Sequence, residues 1–286
     1  MRNIKYFFQF LLIVPLFVIF KLIGLNLASF IGGKLFEIIG PLFRSEKIIH
    51  SNIKKAFPNL NSKEINKITK QMWNNYGRVF SEYMFIKNYR NKLFDTHITI
   101  RGLEILREIK KNNKPVIFIS GHFSNFELMA MALEKHEIKL AAIYRPLNNF
   151  FLNFLMEKIR KDHICKYQIK KGLGGIRKII KLNQNGFSTA LMIDQRVSQG
   201  IKANFFNQQA FTTTIPAQLV KKYNFPVVPL FIERYENIKF KITIQKPIYF
   251  SKSTTEKEIT EKLNSLIEKM ILFKPGQWIW SHNRWK

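Results

Sequence analysis

Apolar and polar positions divide the chain into two regimes. From Tyr6 to Phe20 every residue is apolar except Gln9, and Arg2 and Lys5 precede the run. Lys21 interrupts it, a softer stretch continues to Ile31, and Gly33 to Phe43 stays apolar. The first run alone is short of the roughly 20 residues that cross a bilayer, but with Lys21 tolerated the segment is long enough. A cleaved signal peptide and a retained anchor both begin this way. No small-x-small cleavage site follows and the next segment remains apolar. The expectation is therefore an anchor, spanning the membrane or lying in its interface. Lys34, Arg44, Lys47, Lys54 and Lys55 outnumber Arg2 and Lys5, which places the main body in the cytoplasm by the positive-inside rule.

Beyond residue 43 the periodicity changes. Asn61-Ser62-Lys63-Glu64 reads as a capped helix start, and the helix should run through Trp73 and Tyr83. His97 to Arg101 alternates like a strand, and Gly102 to Asn112 has helical spacing. Pro115–Ser120 is a short apolar, β-rich run of the kind that forms a buried strand. Similar runs recur at Ile138–Tyr144, Ser188–Asp194 and Pro226–Glu233. Helical patterns lie near Glu127–His136, Asn148–Lys161, Leu173–Leu182 and Thr214–Tyr223. Phe231–Glu233 and Lys239–Ile244 read as a hairpin around Asn237, and a final helix covers Thr255 to Phe273. This alternation predicts an α/β fold with a mixed, mainly parallel sheet flanked by helices. Without repeats or low-complexity linkers, the division is an anchor over 1–43 and one catalytic-size domain over 44–286.

Composition sharpens this picture in two ways. The 286 residues are 46% hydrophobic, enough for a sizeable core rather than a disordered polyelectrolyte. Lys and Arg total 47 against 19 acids, a net charge of +28, which favours an anionic partner: nucleic acid, an anionic lipid surface or an acidic protein. Richness in Lys, Ile, Asn and Phe also fits an AT-biased genome, so part of the excess needs no partner. A single cysteine, Cys165, excludes internal disulfides and any Cys-based metal cluster. No metal or other cofactor is expected.

The sharpest candidate site is Gly121-His122-Phe123-Ser124-Asn125-Phe126-Glu127, where a strand should hand over to a helix. On one continuous helix His122 and Glu127 would lie about 140° apart. With His122 in the turn and Glu127 in the first helical turn, the carboxylate can reach back to the imidazole. That would fix the tautomer and raise the basicity of the other nitrogen, giving a general base for an alcohol. Ser124-x-x-Glu127 also matches a capping box, and His122 would then be a hydrogen-bonded loop residue. No serine elbow, zinc motif, phosphate loop or dinucleotide fingerprint is present. A nucleophilic Cys165 is disfavoured, though its Lys-rich surroundings would lower a thiol pKa.

Gly-His, four residues and an acid after a strand resemble the H-x4-D/E motif of glycerolipid-type acyltransferases. More narrowly, the chain resembles the bacterial lipid A biosynthesis acyltransferases, the late lauroyl and myristoyl transferases. The likeness is an ordered series over most of the chain. After the apolar N-terminus come Asn52-Ile53-Lys54-Lys55-Ala56-Phe57-Pro58, His122/Glu127, and Tyr144-Arg145-Pro146 with Asn148. Asp194-Gln195, Phe205-Phe206 and the aromatic-basic tail from Pro275 to Trp285 complete it. Two positions depart from the family pattern: Asn207 stands where many members have Gly, and Arg196 where many have a second Asp. The Arg196 change leaves no basis for a metal or paired carboxylates there.

The resemblance implies transfer of a fatty acyl chain from acyl carrier protein to a hydroxyl of a phosphorylated glycolipid, a lipid A precursor, at the inner membrane. His122 is expected as general base and Glu127 as the group that orients it. Arg145, Arg160, Asp194 and Asn125 are the candidate substrate contacts. The arginines would meet acceptor phosphates or the oxyanion, since a planar guanidinium binds two oxygens at once. Asp194 would orient Arg145 or cap the next turn, and Trp278, Trp280 and Trp285 would pack in the core or line an acceptor wall. An inactive scaffold of the same fold is opposed by the intact His122 and Glu127, and two further rivals stand beside this reading. One is an acyltransferase for a glycerolipid or ornithine lipid, with the same dyad. The other is a membrane-tethered basic protein that binds nucleic acid, which has no recognised motif here, so nucleic acid is not an expected partner.

Overall fold

The computed structural model describes residues 2–286. Two apolar helices come first, α1 (Arg2–Ile23) and α2 (Leu25–Phe43), and both are long and apolar enough to cross a membrane. Gly24 separates them at φ 84°, a backbone state open to glycine without strain. Then follow α3 (Glu46–Ala56) and α4 (Ser62–Glu82). The capping box at Asn61 and Glu64 forms in both directions, as expected. A 3₁₀ turn over 83–85, α5 (Ile86–Asn91) and α6 (Phe94–His97) lead into the sheet.

Both N-terminal helices lean on the body. α2 crosses α4 at glycines: a Cβ on Gly77 would sit 1.9 Å from the Gly32 carbonyl oxygen. Such contact between backbones requires the absence of side chains. α1 runs beside the later helix around residue 151, where Phe7 and Phe10 meet Phe151, and Asn149 Nδ2 donates to the Tyr6 carbonyl. The outer faces stay apolar and uncovered: Leu12 is 75% exposed, Ile38 75% and Leu42 83%.

The remaining elements are β1 (Ile98–Arg101), α7 (Leu103–Asn112), β2 (Ile117–Ser120), α8 (Glu127–Lys135), β3 (Leu140–Tyr144) and α9 (Phe150–His163). After them come β4 (Tyr167–Lys170), α10 (Leu173–Gln184), β5 (Ser188–Met192), β6 (Ile201–Phe205), β7 (Gln208–Thr212), α11 (Ile215–Tyr223), β8 (Val227–Glu236), β9 (Lys239–Ile244) and α12 (Glu256–Phe273). Seven strands form one sheet in the order β1-β9-β8-β2-β5-β3-β4, parallel throughout except for the β8–β9 hairpin. The predicted α/β class holds. All four residues of β2 are buried, which is why its sequence is apolar up to Ser120, whose hydroxyl donates to the Leu230 carbonyl at 2.7 Å.

Beyond the short helices α3, α5 and α6, two sheet features lay outside the sequence reading. β4 is an edge strand with only Ile169 buried, so it carries almost no hydrophobic signal. The β6–β7 hairpin turns at Phe206 and Asn207, with φ 52° and 56°. Asn is the non-glycine residue that best tolerates this left-handed state. That accounts for the Asn207 departure.

The tail is core. Trp278, Trp280 and Arg284 are all buried. Arg284 donates to the Phe211 carbonyl at 2.7 Å and to Thr212 Oγ1 at 2.6 Å, and burial lowers its guanidinium pKa to about 10. Asn52, from the Asn52–Pro58 segment, donates to the carbonyls of Trp280 and His282, both at 2.8 Å.

Candidate active site

β2 and β5 are parallel neighbours, with Ser120 opposite Met192. Each chain continues two residues beyond that pair, to His122 and Asp194. Their side chains therefore meet at the carboxyl end of the sheet, the usual location of chemistry in α/β folds. Asp194 Oδ1 lies 2.8 Å from His122 Nδ1. Its Oδ2 accepts from the His122 backbone N–H at 2.7 Å and from Trp278 Nε1 at 2.8 Å. Burial works to raise the Asp194 pKa. The imidazole beside it and these three donors outweigh burial and hold it below the ordinary carboxylate value. Gly121 makes the approach possible, because a Cβ there would lie 2.8 Å from the Phe123 ring and 3.1 Å from Asp194 Oδ2.

This corrects the expected pairing of His122 with Glu127. Glu127 opens α8, and its side chain turns to α9. Its Oε1 accepts from Arg160 Nε at 2.8 Å and pairs closely with Arg160 Nη2. The His122 ring is instead oriented by Asp194. Arg160 is thus no solvated helix residue but is buried, leaning over the Tyr144 ring. Burial would lower its pKa; the Glu127 carboxylate overcompensates and raises it. Among the described residues Arg160 Nη1 is buried without a hydrogen-bond partner. The alternative capping box does not form either: Ser124 adopts φ 44°, its hydroxyl finds no partner, and α8 begins at Glu127 without a side-chain cap.

His122, Glu127 and Arg160 share the wall of a pocket of about 440 Å³. Its lining is mainly apolar, with Phe118, Met129, Leu133 and Ala142 among the residues, while Arg145, Lys171 and Arg196 also contribute to it. Arg145 is exposed and has no bond to Asp194, so neither expected role of Asp194 is seen. Asn125 is buried behind the turn and donates to Glu82 Oε2 at 3.2 Å, which takes it out of the pocket wall. His282 accepts from the Arg196 backbone N–H at 3.0 Å through Nε2, and burial lowers its pKa to about 4, leaving the ring neutral. Cys165 is buried, and burial pushes its thiol up to about 12, opposite to a reactive nucleophile.

Sequence reasoning missed Asp194 as the partner of His122, and Lys171 and Arg196 in the pocket lining. The signal for the first was present: two strands of the parallel set end in Gly-His and Asp-Gln, and adjacency of those strands brings the ends together.

Comparison with known proteins shows the family. A sequence model of the family described as bacterial lipid A biosynthesis acyltransferase matches residues 1–286. The chain is 24% identical over 244 residues to a lipid A biosynthesis lauroyltransferase of Escherichia coli (strain K12), covering 85% of this chain and 79% of that protein. A palmitoleoyltransferase of the same pathway and organism is 23% identical over 268 residues, 90% of this chain and 84% of that protein. A myristoyltransferase is 25% identical over 186 residues, 63% of this chain and 56% of that protein.

Proposed function

Because the chain belongs to the bacterial lipid A biosynthesis acyltransferase family, we propose that it moves a fatty acyl chain from acyl carrier protein to a hydroxyl of a lipid A precursor, with His122 as general base. The observation that carries this reading is the two-sided environment of His122: Nδ1 is taken by a buried, ionised Asp194, and the ring borders an apolar pocket. A carboxylate on Nδ1 keeps the proton there and leaves Nε2 as the basic nitrogen.

In the proposed step the acceptor hydroxyl gives its proton to His122 Nε2 while its oxygen attacks the thioester carbonyl. The tetrahedral oxyanion collapses, the C–S bond breaks, and the imidazolium returns its proton to the departing thiolate. No acyl-enzyme forms. A positioned base contributes roughly 10²–10⁴ in rate, and donors to the oxyanion a comparable share. Arg160, whose side chain lines that wall, supplies positive charge to it. Glu127 keeps Arg160 charged and aimed. Arg145, Lys171 and Arg196 suit the phosphates of the glycolipid.

The apolar faces of α1 and α2 support attachment to the inner membrane, with the active domain on the cytoplasmic side where anionic lipid faces the basic segments. Incubation of the full-length protein with acyl carrier protein thioester and a lipid A precursor should add the mass of one acyl chain. Acylation of glycerolipid precursors alone would establish the first rival, and His122→Ala with full activity would remove the proposed base.

A further inference from the structure

A second cleft, of about 500 Å³, lies between α2, α4 and the turn at 274–277. It shares no lining residue with the pocket of His122. Its wall carries Lys67, Lys70, Arg78, Arg234 and Lys274 against one acid, Glu37. The acids near these cations are already shared. Glu82 takes Arg234 at 2.5 and 2.9 Å, and Glu233 divides between Lys274 at 3.1 Å and Lys241 at 3.2 Å. Glu37 faces Lys34 at 3.3 Å and Lys70 at 3.6 Å. Even with Glu82 and Glu233 counted, the cleft keeps an excess of positive charge. Among the described residues Arg78 hydrogen-bonds only neutral groups, Asn74 Oδ1 at 2.8 Å and Ser29 Oγ at 3.1 Å. Burial and then the like charge of Arg234 lower its pKa. Arg234 Nε is buried with no partner.

The surroundings say what kind of anion fits. Phe273, 63% exposed, is part of the wall, and its neighbour Leu272 is exposed too. Glu37 sits on α2 at the border between the face that meets α4 and the face that exposes Ile38 and Leu42. Cations beside bare apolar side chains match the boundary between headgroups and acyl chains of a membrane. A carrier protein's acidic surface would leave the apolar part uncovered.

We infer that this cleft binds the phosphate of an anionic membrane-lipid headgroup, a lipid that is held and not acylated. The cleft also touches the catalytic turn. Gln277, in its wall, accepts from the Ser124 backbone N–H at 2.9 Å through its carbonyl and brackets Arg234 with two 2.8 Å bonds. Glu82, behind Arg234, accepts from Asn125. A bound phosphate thereby helps seat residues 121–127.

The test is vesicle binding by the full-length protein, using phosphatidylcholine alone or mixed with phosphatidylglycerol. Lys67→Glu with Lys70→Glu should cost at least about tenfold in affinity for the mixed vesicles. Lys178→Glu with Lys181→Glu, an equal charge change on exposed α10 positions, should cost only about twofold. Binding to phosphatidylcholine alone should not change in either. Short-chain phosphatidylglycerol should raise the melting temperature of the wild type and of the α10 variant, but not of Arg78→Gln or the Lys67/Lys70 variant. Equal losses from the two charge reversals would overturn the site. So would protection by inorganic phosphate as strong as by the lipid, or a loss confined to carrier-protein binding.

Discussion

Asp194 reaches His122 across 72 residues of sequence because Ser120 and Met192 are partners in the β2–β5 register. A shift of that register by one residue would turn the carboxylate to the other face of the sheet. The geometry of the proposed base is thus set by the pairing of two buried strands. Asp194→Asn should retain the fold and reduce acyl transfer about 10²–10⁴-fold. Combined with His122→Ala it should lower the rate little further, because the two act as one unit. Single-turnover rates with matched melting temperatures check this.

The Glu127–Arg160 pair is predicted to behave differently. Both side chains are buried, so removing one partner strands a charge, and Glu127→Gln or Arg160→Gln should each destabilise by about 3–5 kcal/mol. The double variant should cost clearly less than the two together. Urea unfolding of the four proteins measures the coupling.

Acidification should weaken the fold in a definite window. The folded pKa of His282 is about 4, below its ordinary 6.5, so the unfolded chain takes up its proton first as pH falls. The stability from keeping that ring neutral is complete above pH 6.5, declines between 6.5 and about 4, and does not fall further below. Asp194, also depressed, adds a later loss below its ordinary 3.8. His282→Gln, which keeps an acceptor for the Arg196 amide, should flatten the melting-temperature profile between pH 6.5 and 4 and leave the lower drop in place.

Two glycines give opposite outcomes for one substitution. Gly77→Ala drives a methyl group into the Gly32 carbonyl and should cost about 1–3 kcal/mol or more as α2 is pushed from α4. Gly174→Ala, with nothing within 4 Å and a helical backbone, should stabilise by roughly 0.5–1 kcal/mol. Thermal unfolding compares them directly.

Relatives named for lauroyl, palmitoleoyl and myristoyl transfer show that donor length varies within this family. Ala142 is a small residue in the apolar lining. Ala142→Leu should shift the preferred donor to a shorter chain, with each lost methylene worth about 1–3 kcal/mol in kcat/KM. A panel of acyl carrier protein thioesters reads the shift.

The sheet was legible where strands are buried on both faces, as at Ile117–Ser120, or alternate clearly, as at the edge strand Ile98–Arg101, and illegible at Tyr167–Lys170, where only Ile169 is buried. Helix starts with reciprocal caps, at Asn61 and Thr255, were also legible. His122 and Glu127 stood out as chemistry, but local spacing joined them to each other. Their actual partners come from β5 and α9, through strand adjacency and helix packing that spacing does not encode. Buried Glu82, which joins Arg234 to Asn125, has no local signature at all.

The tail residues Trp278 and Trp280 reach back to Asp194 and to the segment around Asn52, and so impose an order on biosynthesis. During translation the turn at 121–127 emerges before the Trp278 indole that pins Asp194 and the Gln277 carbonyl that holds Ser124. A chain stopped before Gln277 would therefore carry residues 121–127 without either bond, and the turn is complete only once residues 277 and 278 have been made.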